Sequence, residues 1–425
     1  MDYDFIFTGG GLAGLSLAYH LAHSPLRDSS MLIIDRDAKN RNDRTWCYWS
    51  KESMPFDEIA QCEWKQIKFV GSHLPVISSE GRNLPPQSKR FLGTKDGPRN
   101  DSYELKIDLG DYRYKMIRGI DFYRFVRQEL AAQPNIRFSQ GTVDAIQEGG
   151  DHAQVLVNGQ SNTARWVFDS RFNWKTFNPA QAHSLHQYFV GWEIETADDM
   201  FDPETPTLMD FRTPQKQAMR FFYVLPFSKR RALVEYVSLA RDNYRDALSN
   251  YIERVLAIRD YKVVATEGGT NPMTDYAFSR RAGKHILNVG TRGGRIKPST
   301  GYAFVRIQRD SAAIVRSLVE QGHPFNIPAD SRRYRYFDTL MLDVMQRHGD
   351  QVKSIFAALF KNNPIERVLR LLDEEGSVVE NAQLLASLPP KLFLEAISAN
   401  SHSSPKFQRV PGKFGELRGT HMEDL

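Results

Sequence analysis

Asp4-Phe5-Ile6-Phe7-Thr8-Gly9-Gly10-Gly11-Leu12-Ala13-Gly14 runs an apolar strand straight into Gly-x-Gly-x-x-Gly, and a helical pattern follows at Leu15, Ala18 and Leu21. In this arrangement Gly9 permits the tight turn, Gly11 lets the backbone approach a pyrophosphate, and Gly14 lets helix and strand pack closely. The helix start then offers free N–H groups and the positive end of its dipole to phosphates. A second apolar strand, Met31 to Ile34, ends in Asp35. An acid at that strand end suits a ribose hydroxyl pair, so the segment predicts an adenine dinucleotide without a 2′-phosphate.

Working outward, the 425 residues are 41% hydrophobic and 25% charged, which fits a folded protein of two or three intimate subdomains. Lys and Arg exceed Asp and Glu by only five, with no basic tail or repeat, so no nucleic-acid partner is expected. Cys47 and Cys62 are the only cysteines, too few for a disulfide scaffold or a closed zinc site. His183 and His186 have no matching carboxylate cluster, and no metal is expected. The first residues enter a strand without a signal-type segment, and no apolar run approaches the roughly 20 residues of a membrane span. A cytoplasmic protein, soluble or peripheral to a membrane, is the expectation.

Phe122, Phe125, Val126 and Leu130 share one face of a predicted helix over 119–132. Trp166-Val167-Phe168-Asp169 reads as a strand returning to the dinucleotide sheet. From Gln187 to Val264 strand patterns dominate, with a helix predicted over 243–258, and this block reads as a separate sheet covering the cofactor face. From Arg332 to Ala399 the pattern is helical. Its stripe Val352, Ile355, Phe356, Leu359 and Phe360 is either core or a surface for docking on a bilayer. Residues 400–425 read as a loose polar tail.

Ile286-Leu287-Asn288-Val289-Gly290-Thr291-Arg292-Gly293-Gly294, followed by Pro298-Ser299-Thr300-Gly301, resembles the second FAD motif of the aromatic-hydroxylase-like flavoproteins. Gly290, Pro298 and Gly301 match; Thr291 stands where those hydroxylases carry an aspartate. A narrower resemblance runs from about residue 4 to about residue 395. Asp43-Arg44-Thr45-Trp46-Cys47-Tyr48-Trp49, Phe168-Asp169-Ser170-Arg171, Gly191-Trp192-Glu193-Ile194-Glu195, Ala232-Leu233-Val234-Glu235-Tyr236 and Pro272-Met273-Thr274-Asp275-Tyr276 occur in the order found in FAD-dependent lycopene cyclases. Glu235 matches the first acid of that family's acidic strand motif, and Tyr236 replaces the second.

The resemblance implies an α/β fold: a discontinuous Rossmann-type FAD-binding domain with an inserted β-sheet substrate domain and a C-terminal helical region. The implied boundaries are 1–70, 106–172 and 269–325 for the FAD-binding parts, 71–105 and 173–268 for the substrate sheet, 326–400 for the helices and 401–425 for the tail. It implies redox-neutral, acid-initiated closure of lycopene ends to β-ionone rings with reduced FAD, NAD(P)H serving as an external reductant, on the inner face of the cell membrane. The runner-up is a flavin-dependent monooxygenase or reductase acting on an isoprenoid lipid. The FAD residues expected are Gly9, Gly11, Gly14, Asp35, Arg44, Arg118, Gly290, Gly293, Pro298 and Gly301; Lys297 is expected to be solvated. Trp46, Trp49, Trp192 and Tyr223 are expected at the carotene, where aromatic faces steady a cation.

Glu235 is the expected acid. At period two it shares a face with Leu233, Val237 and Leu239. Burial among apolar neighbours disfavours the charged form of a carboxyl group and keeps a proton available near neutrality. Glu193, Glu195 and Asp275 are the next acids in line.

Overall fold

Phe5 and Phe7 point to one side of the first strand and Ile6 to the other, and all three are buried. A strand apolar on both faces belongs inside a covered parallel sheet. The computed structural model, which describes residues 1–72 and 102–402 apart from 175, 176, 178 and 181, has it there. Most of the substrate-sheet segment expected over 71–105 and of the expected tail therefore lies outside the described residues. β1 (Tyr3–Thr8) leads into α1 (Leu12–Ala22) and β2 (Met31–Asp35). β3 (Thr45–Ser50), β4 (Cys62–Trp64), β5 (Gln66–Ser72), β6 (Ser102–Asp108) and β7 (Arg113–Arg118) follow, then α2 (Gly119–Ala131). Four strands close this part: β8 (Ile136–Gln140), β9 (Val143–Glu148), β10 (Ala153–Val157) and β11 (Gln160–Asp169).

The next block holds β12 (Ser184–Glu195), β13 (Thr207–Asp210), β14 (Arg220–Ser228), β15 (Arg231–Ser238), α3 (Tyr244–Asn250) and β16 (Lys262–Thr274). β17 (Ile286–Asn288) and α4 (Phe304–Gln321) return to the first sheet, and α5 (Arg332–Arg347), α6 (Val352–Asn362), α7 (Ile365–Leu372), α8 (Val378–Leu385) and α9 (Pro390–His402) end the described chain. Pro390 takes the first helical position of α9, where a missing N–H costs nothing.

The first sheet has the order β8-β2-β1-β11-β10-β9, with β17 beside the C-terminal end of β11. β8, β2, β1, β11 and β17 are parallel, whereas β9, β10 and β11 form an antiparallel meander. α1, α2 and α4 share a core with Phe7, Ile33, Phe168 and Leu287 on one face. Ile6, Ile34 and Val167 pack toward the meander on the other.

The second sheet has the order β16-β12-β15-β14-β13-β5-β6. Its faces sort by parity. Leu233 and Val237 of β15 face inward to the core shared with the C-terminal helices, while Val234 and Tyr236 face outward under α3. β3, β7 and β4 make a small third sheet.

One expectation needs correction, and one alternative is decided. The helix read over 243–258 is α-helical only to Asn250, and Tyr251–Val255 form a wider π turn. There Tyr251 stacks on Phe222 at 3.8 Å between ring centroids and donates to Asp210 at 2.7 Å, contacts that outweigh regular helix geometry. The stripe Val352, Ile355, Phe356, Leu359 and Phe360 is buried in the inner core, so it is not a docking surface.

Candidate active site

The inner face of the second sheet looks across a cleft at the glycine-rich turns of the first. Gly11, Leu12 and Ala13 line one wall with Arg44, Trp46, Gly290, Thr291, Gly301 and Tyr302; Gln187, Phe189, Tyr223, Leu225, Glu235, Val237 and Asn271 line the other. Its empty volume is about 1250 Å³, counting the solvent-open mouth.

The geometry of the first wall suits a dinucleotide. A Cβ at Gly14 would lie 1.9 Å from the Gly9 carbonyl oxygen, and one at Gly9, where φ is +124°, would lie 2.1 Å from Ser170 Oγ. Strand and helix therefore meet at a distance only glycine allows. A Cβ at Gly11 meets no protein atom within 4 Å, so that position faces open cleft. No side chain caps the first turn of α1. The N–H of Gly10 donates to Asp35 Oδ2 at 2.6 Å, tying the acid at the end of β2 to the turn. Gly290, at φ +59°, passes so close over α1 that a Cβ there would sit 2.7 Å from the Cβ of Ala13. The first turn of α4 is likewise without a side-chain cap where Ala303 and Phe304 line the cleft. Two uncapped helix starts at one cleft favour an anionic group.

The opposite wall presents an acid. Tyr223 of β14 pairs in register with Glu235 of β15, Glu235 with Gly191 of β12, and Gly191 with Glu267 of β16. Directly opposed residues point to the same face, so these four positions form one row across the sheet. Glu235 is 9% exposed. Burial, then the nearby Glu267 carboxylate, lifts its carboxyl well above the usual range. Glu267, 7% exposed, accepts from Asn42 Nδ2 at 2.6 Å and Thr45 Oγ1 at 2.7 Å through one oxygen, and its other oxygen, Oε1, is buried without a partner. Burial pushes Glu267 up to about 7, against the opposing pull of Thr45, Arg44 and Asn42. The hydrogen bonds from Thr45 and Asn42 and the charge of Arg44 favour ionisation of Glu267 over Glu235. Tyr223 and Tyr302, whose hydroxyls lie 3.3 Å apart, are held in the phenol form by burial.

Several expected residues sit elsewhere. Trp192 lies on the outer face with Val190 and Ile194, one residue out of step with the Gly191 row, and does not line the cleft. Trp49 is packed behind the cleft against Tyr302 and Tyr114 and donates from Nε1 to Asp373 at 2.8 Å. Arg118 is clamped by Asp121 at 2.6 and 3.1 Å and borders a separate small cavity, of about 220 Å³ empty volume, with Glu193 and Glu267. Gly293 and Pro298 shape the second loop without lining the cleft; a Cβ at Gly293 would lie 2.6 Å from the Asn288 carbonyl oxygen. Lys297 is not solvated: it is buried between Asp338 at 3.0 Å and Glu374 at 2.9 Å. Among the reserve acids, Glu193 pairs with Arg231, Glu195 is exposed, and Asp275 accepts from His183 and Thr339. Trp46, Arg44 and Tyr223 line the cleft, with the Arg44 guanidinium 5.9 Å above the Phe189 ring.

A Rossmann-type sheet completed by a distant glycine loop, with a second sheet laid over it, is the architecture of aromatic-hydroxylase-like flavoproteins. The fold is similar to that of HpxO from Klebsiella pneumoniae, solved in complex with FAD and uric acid, at a TM-score of 0.59 and 14% identity over 88% of this chain and 96% of that one. Over residues 4–75 and 101–398 the sequence matches the model of the lycopene cyclase protein family, and the chain belongs to that family. A lycopene beta-cyclase of Pantoea ananas is 23% identical over 93% of this chain and 97% of its own length. The chloroplastic/chromoplastic lycopene beta cyclase of Narcissus pseudonarcissus is 24% identical over 54% of this chain and 52% of its own length, so the chain aligns with about half of that relative.

Sequence reasoning missed Glu267. Its only local signal is an acid before Gly268-Gly269; its importance comes from the register that sets it across Gly191 from Glu235.

Proposed function

We propose that the protein is a carotenoid cyclase that closes the linear ends of lycopene to β-ionone rings without net redox change, using reduced FAD. The observation that carries this reading is Glu235: a buried acid with a raised pKa, facing a cleft walled by apolar and aromatic side chains opposite a dinucleotide turn. A hydrocarbon offers no polar handle, so its recognition rests on shape and apolar contact, and its activation on a strong acid in a water-poor site.

Glu235 delivers its proton to the terminal trisubstituted alkene, leaving a tertiary cation. The neighbouring double bond attacks that cation and closes the ring. Loss of a ring proton to the Glu235 carboxylate leaves the new double bond and restores the acid. The faces of Phe189, Tyr223 and Trp46 steady the positive charge. Gly9, Gly11, Gly14, Asp35, Arg44, Gly290, Thr291 and Gly301 would hold FAD. When bound, reduced FAD would supply an electron-rich, negatively charged ring system able to stabilise a developing cation, and an external reductant such as NAD(P)H would keep it reduced.

The substrate dissolves in lipid, and among the described residues no helix is long and apolar enough to cross a membrane. The enzyme therefore works docked on the cytoplasmic face of the bilayer. Val378 and Val379 at the start of α8 and Leu394 on α9 are each more than 60% exposed and are the apolar contacts offered to it.

The test is lycopene in liposomes with reduced or oxidised FAD and chromatography of the pigments. Cyclised product with reduced FAD only, with no NAD(P)H consumed per ring, is expected. An oxygenated or hydrogenated product would overturn the reading in favour of a redox enzyme. Gly11→Val adds a branched side chain where the protein leaves room, so the variant should fold and lose at least about tenfold in flavin affinity. Full flavin in folded Gly11→Val would refute the cofactor assignment.

A further inference from the structure

Gly191 is the centre of the row that carries the two acids. A Cβ there would lie 3.1 Å from Glu267 Cγ, 3.5 Å from Glu235 Cβ and 2.8 Å from a Leu233 methyl. Strands two apart in a sheet are separated by about 9–10 Å, and the side chains of both glutamates border the space above Gly191. Both are buried, the Glu235 side chain has no hydrogen-bond partner among the described residues, and Glu267 Oε1 is buried without one there while Asn42 and Thr45 fix the other oxygen. Two carboxylates this close do not both ionise readily.

We propose that Glu267 is a positioning residue that shares one proton with Glu235 and makes that group serve as both the acid and the base of the cyclisation. The inference rests on the cyclase reading for its chemistry, but the pair itself can be tested without substrate. Before reaction the pair holds one proton, on Glu235. Its transfer forms a C–H bond at the alkene and leaves two neighbouring carboxylates. That dianion is a stronger base than a lone glutamate, and it draws back the ring proton as the C–H electrons form the new double bond. The pair ends as it began, with atoms and charge balanced and no outside reagent used. Glu267 does not line the cleft, so it acts through Glu235.

The other groups around the pair leave this logic intact. Tyr223 from β14, Tyr302 from the loop before α4 and Cys47 from β3 are kept neutral by burial. Arg44, from the loop before β3, stands on the Glu267 side with its positive charge and favours ionisation there. Glu193, two residues along β12, is paired with Arg231.

The experiment titrates protonated carboxyl groups by difference infrared spectroscopy, in wild type and in Glu267→Gln, with the Glu235 band assigned by its loss in Glu235→Gln. In wild type one buried carboxyl should stay protonated above neutrality after a second has ionised. In Glu267→Gln the neighbouring charge is gone, so the Glu235 midpoint should fall by at least about one pH unit. The basic limb of the cyclisation rate should move down by the same amount, with activity regained on lowering the pH. A structural defect would give no such recovery. An unmoved Glu235 midpoint overturns the proposal. So does a wild type in which both groups ionise together below neutrality, a measurement that stands even if the variant fails to fold. The infrared result holds or fails whether or not lycopene is the substrate, so failure of the pair and failure of the cyclase reading are separate outcomes.

Discussion

The two faces of the second sheet each bury acids, and they treat them in opposite ways. On the outer face Asp210 is fully buried, yet Arg212 grips both its oxygens and Tyr251 donates to it at 2.7 Å. On the inner face Glu235 is nearly as buried, and the charged group that acts on it is another acid, Glu267. Asp210 is a fastening: its charge is compensated and its chemistry is spent. Glu235 is held in a state the surroundings oppose when it is ionised, which is the condition for a proton donor near neutrality. The same contrast separates Glu235 from the Lys297–Asp338 pair under the second loop. Burial alone does not mark a reactive acid; burial without a compensating partner does.

Substituting the two acids tests this contrast most strongly. Glu235→Gln keeps size and polarity but removes the transferable proton, and cyclisation at matched flavin occupancy should fall by about 10²–10⁴-fold. Urea unfolding should show no loss of stability. Near-normal turnover would assign the acid to another group. Asp210→Ala should do the reverse. It strands Arg212 and the Tyr251 hydroxyl, and the loss should be about 3 kcal/mol in urea unfolding, with turnover per folded molecule unchanged.

A gentler test uses pH. The folded state binds the Glu235 proton more tightly than the unfolded chain does, so stability from this group falls as pH rises. The sign follows from the raised pKa: below the unfolded value, about 4.3, both states are protonated and there is no penalty. Above it only the folded state retains the proton. Wild type should therefore lose stability relative to Glu235→Gln by up to about 1.4 kcal/mol per pH unit between about pH 5 and 7. A difference that stays flat would mean the group is already ionised in the folded protein.

The smallest expected effect is on the outer face. Trp192→Phe trims a half-buried ring among Val190, Ile194 and the α3 residues, and should cost about 1 kcal/mol or less with no change in kcat. A large kinetic effect would put the wrong face toward the substrate.

These outcomes also mark where the sequence was legible. The dinucleotide turn was readable because its physics is local: three glycines at fixed spacing, a strand before and a helix after. The apolar flank of Glu235 was readable because alternation along one strand fixes which residues share a face. The side on which Trp192 falls depends on its register beside β15, a pairing of positions more than 40 residues apart. Glu267 depends on the register of β12 with β16, which brings positions 191 and 267 together. Lys297 looked like a loop lysine because its partner Asp338 comes from α5, and nothing in the loop announces it. The π turn after Asn250 arises from a stacking partner on β14. In each case the deciding contact lies across the fold.

Gly191 carries a consequence of a different kind, for alignment. Slide β12 by one residue against its neighbours, and Trp192 stands between the acids in place of a hydrogen atom. Strand slippage, usually judged by what it does to a core, would here be judged by whether two carboxyl groups remain in conversation. The fold's tolerance for error at this strand is therefore set by a side chain that is not there, and on the proposed pairing a change at position 191 would touch the proton chemistry as well as the packing against Leu233.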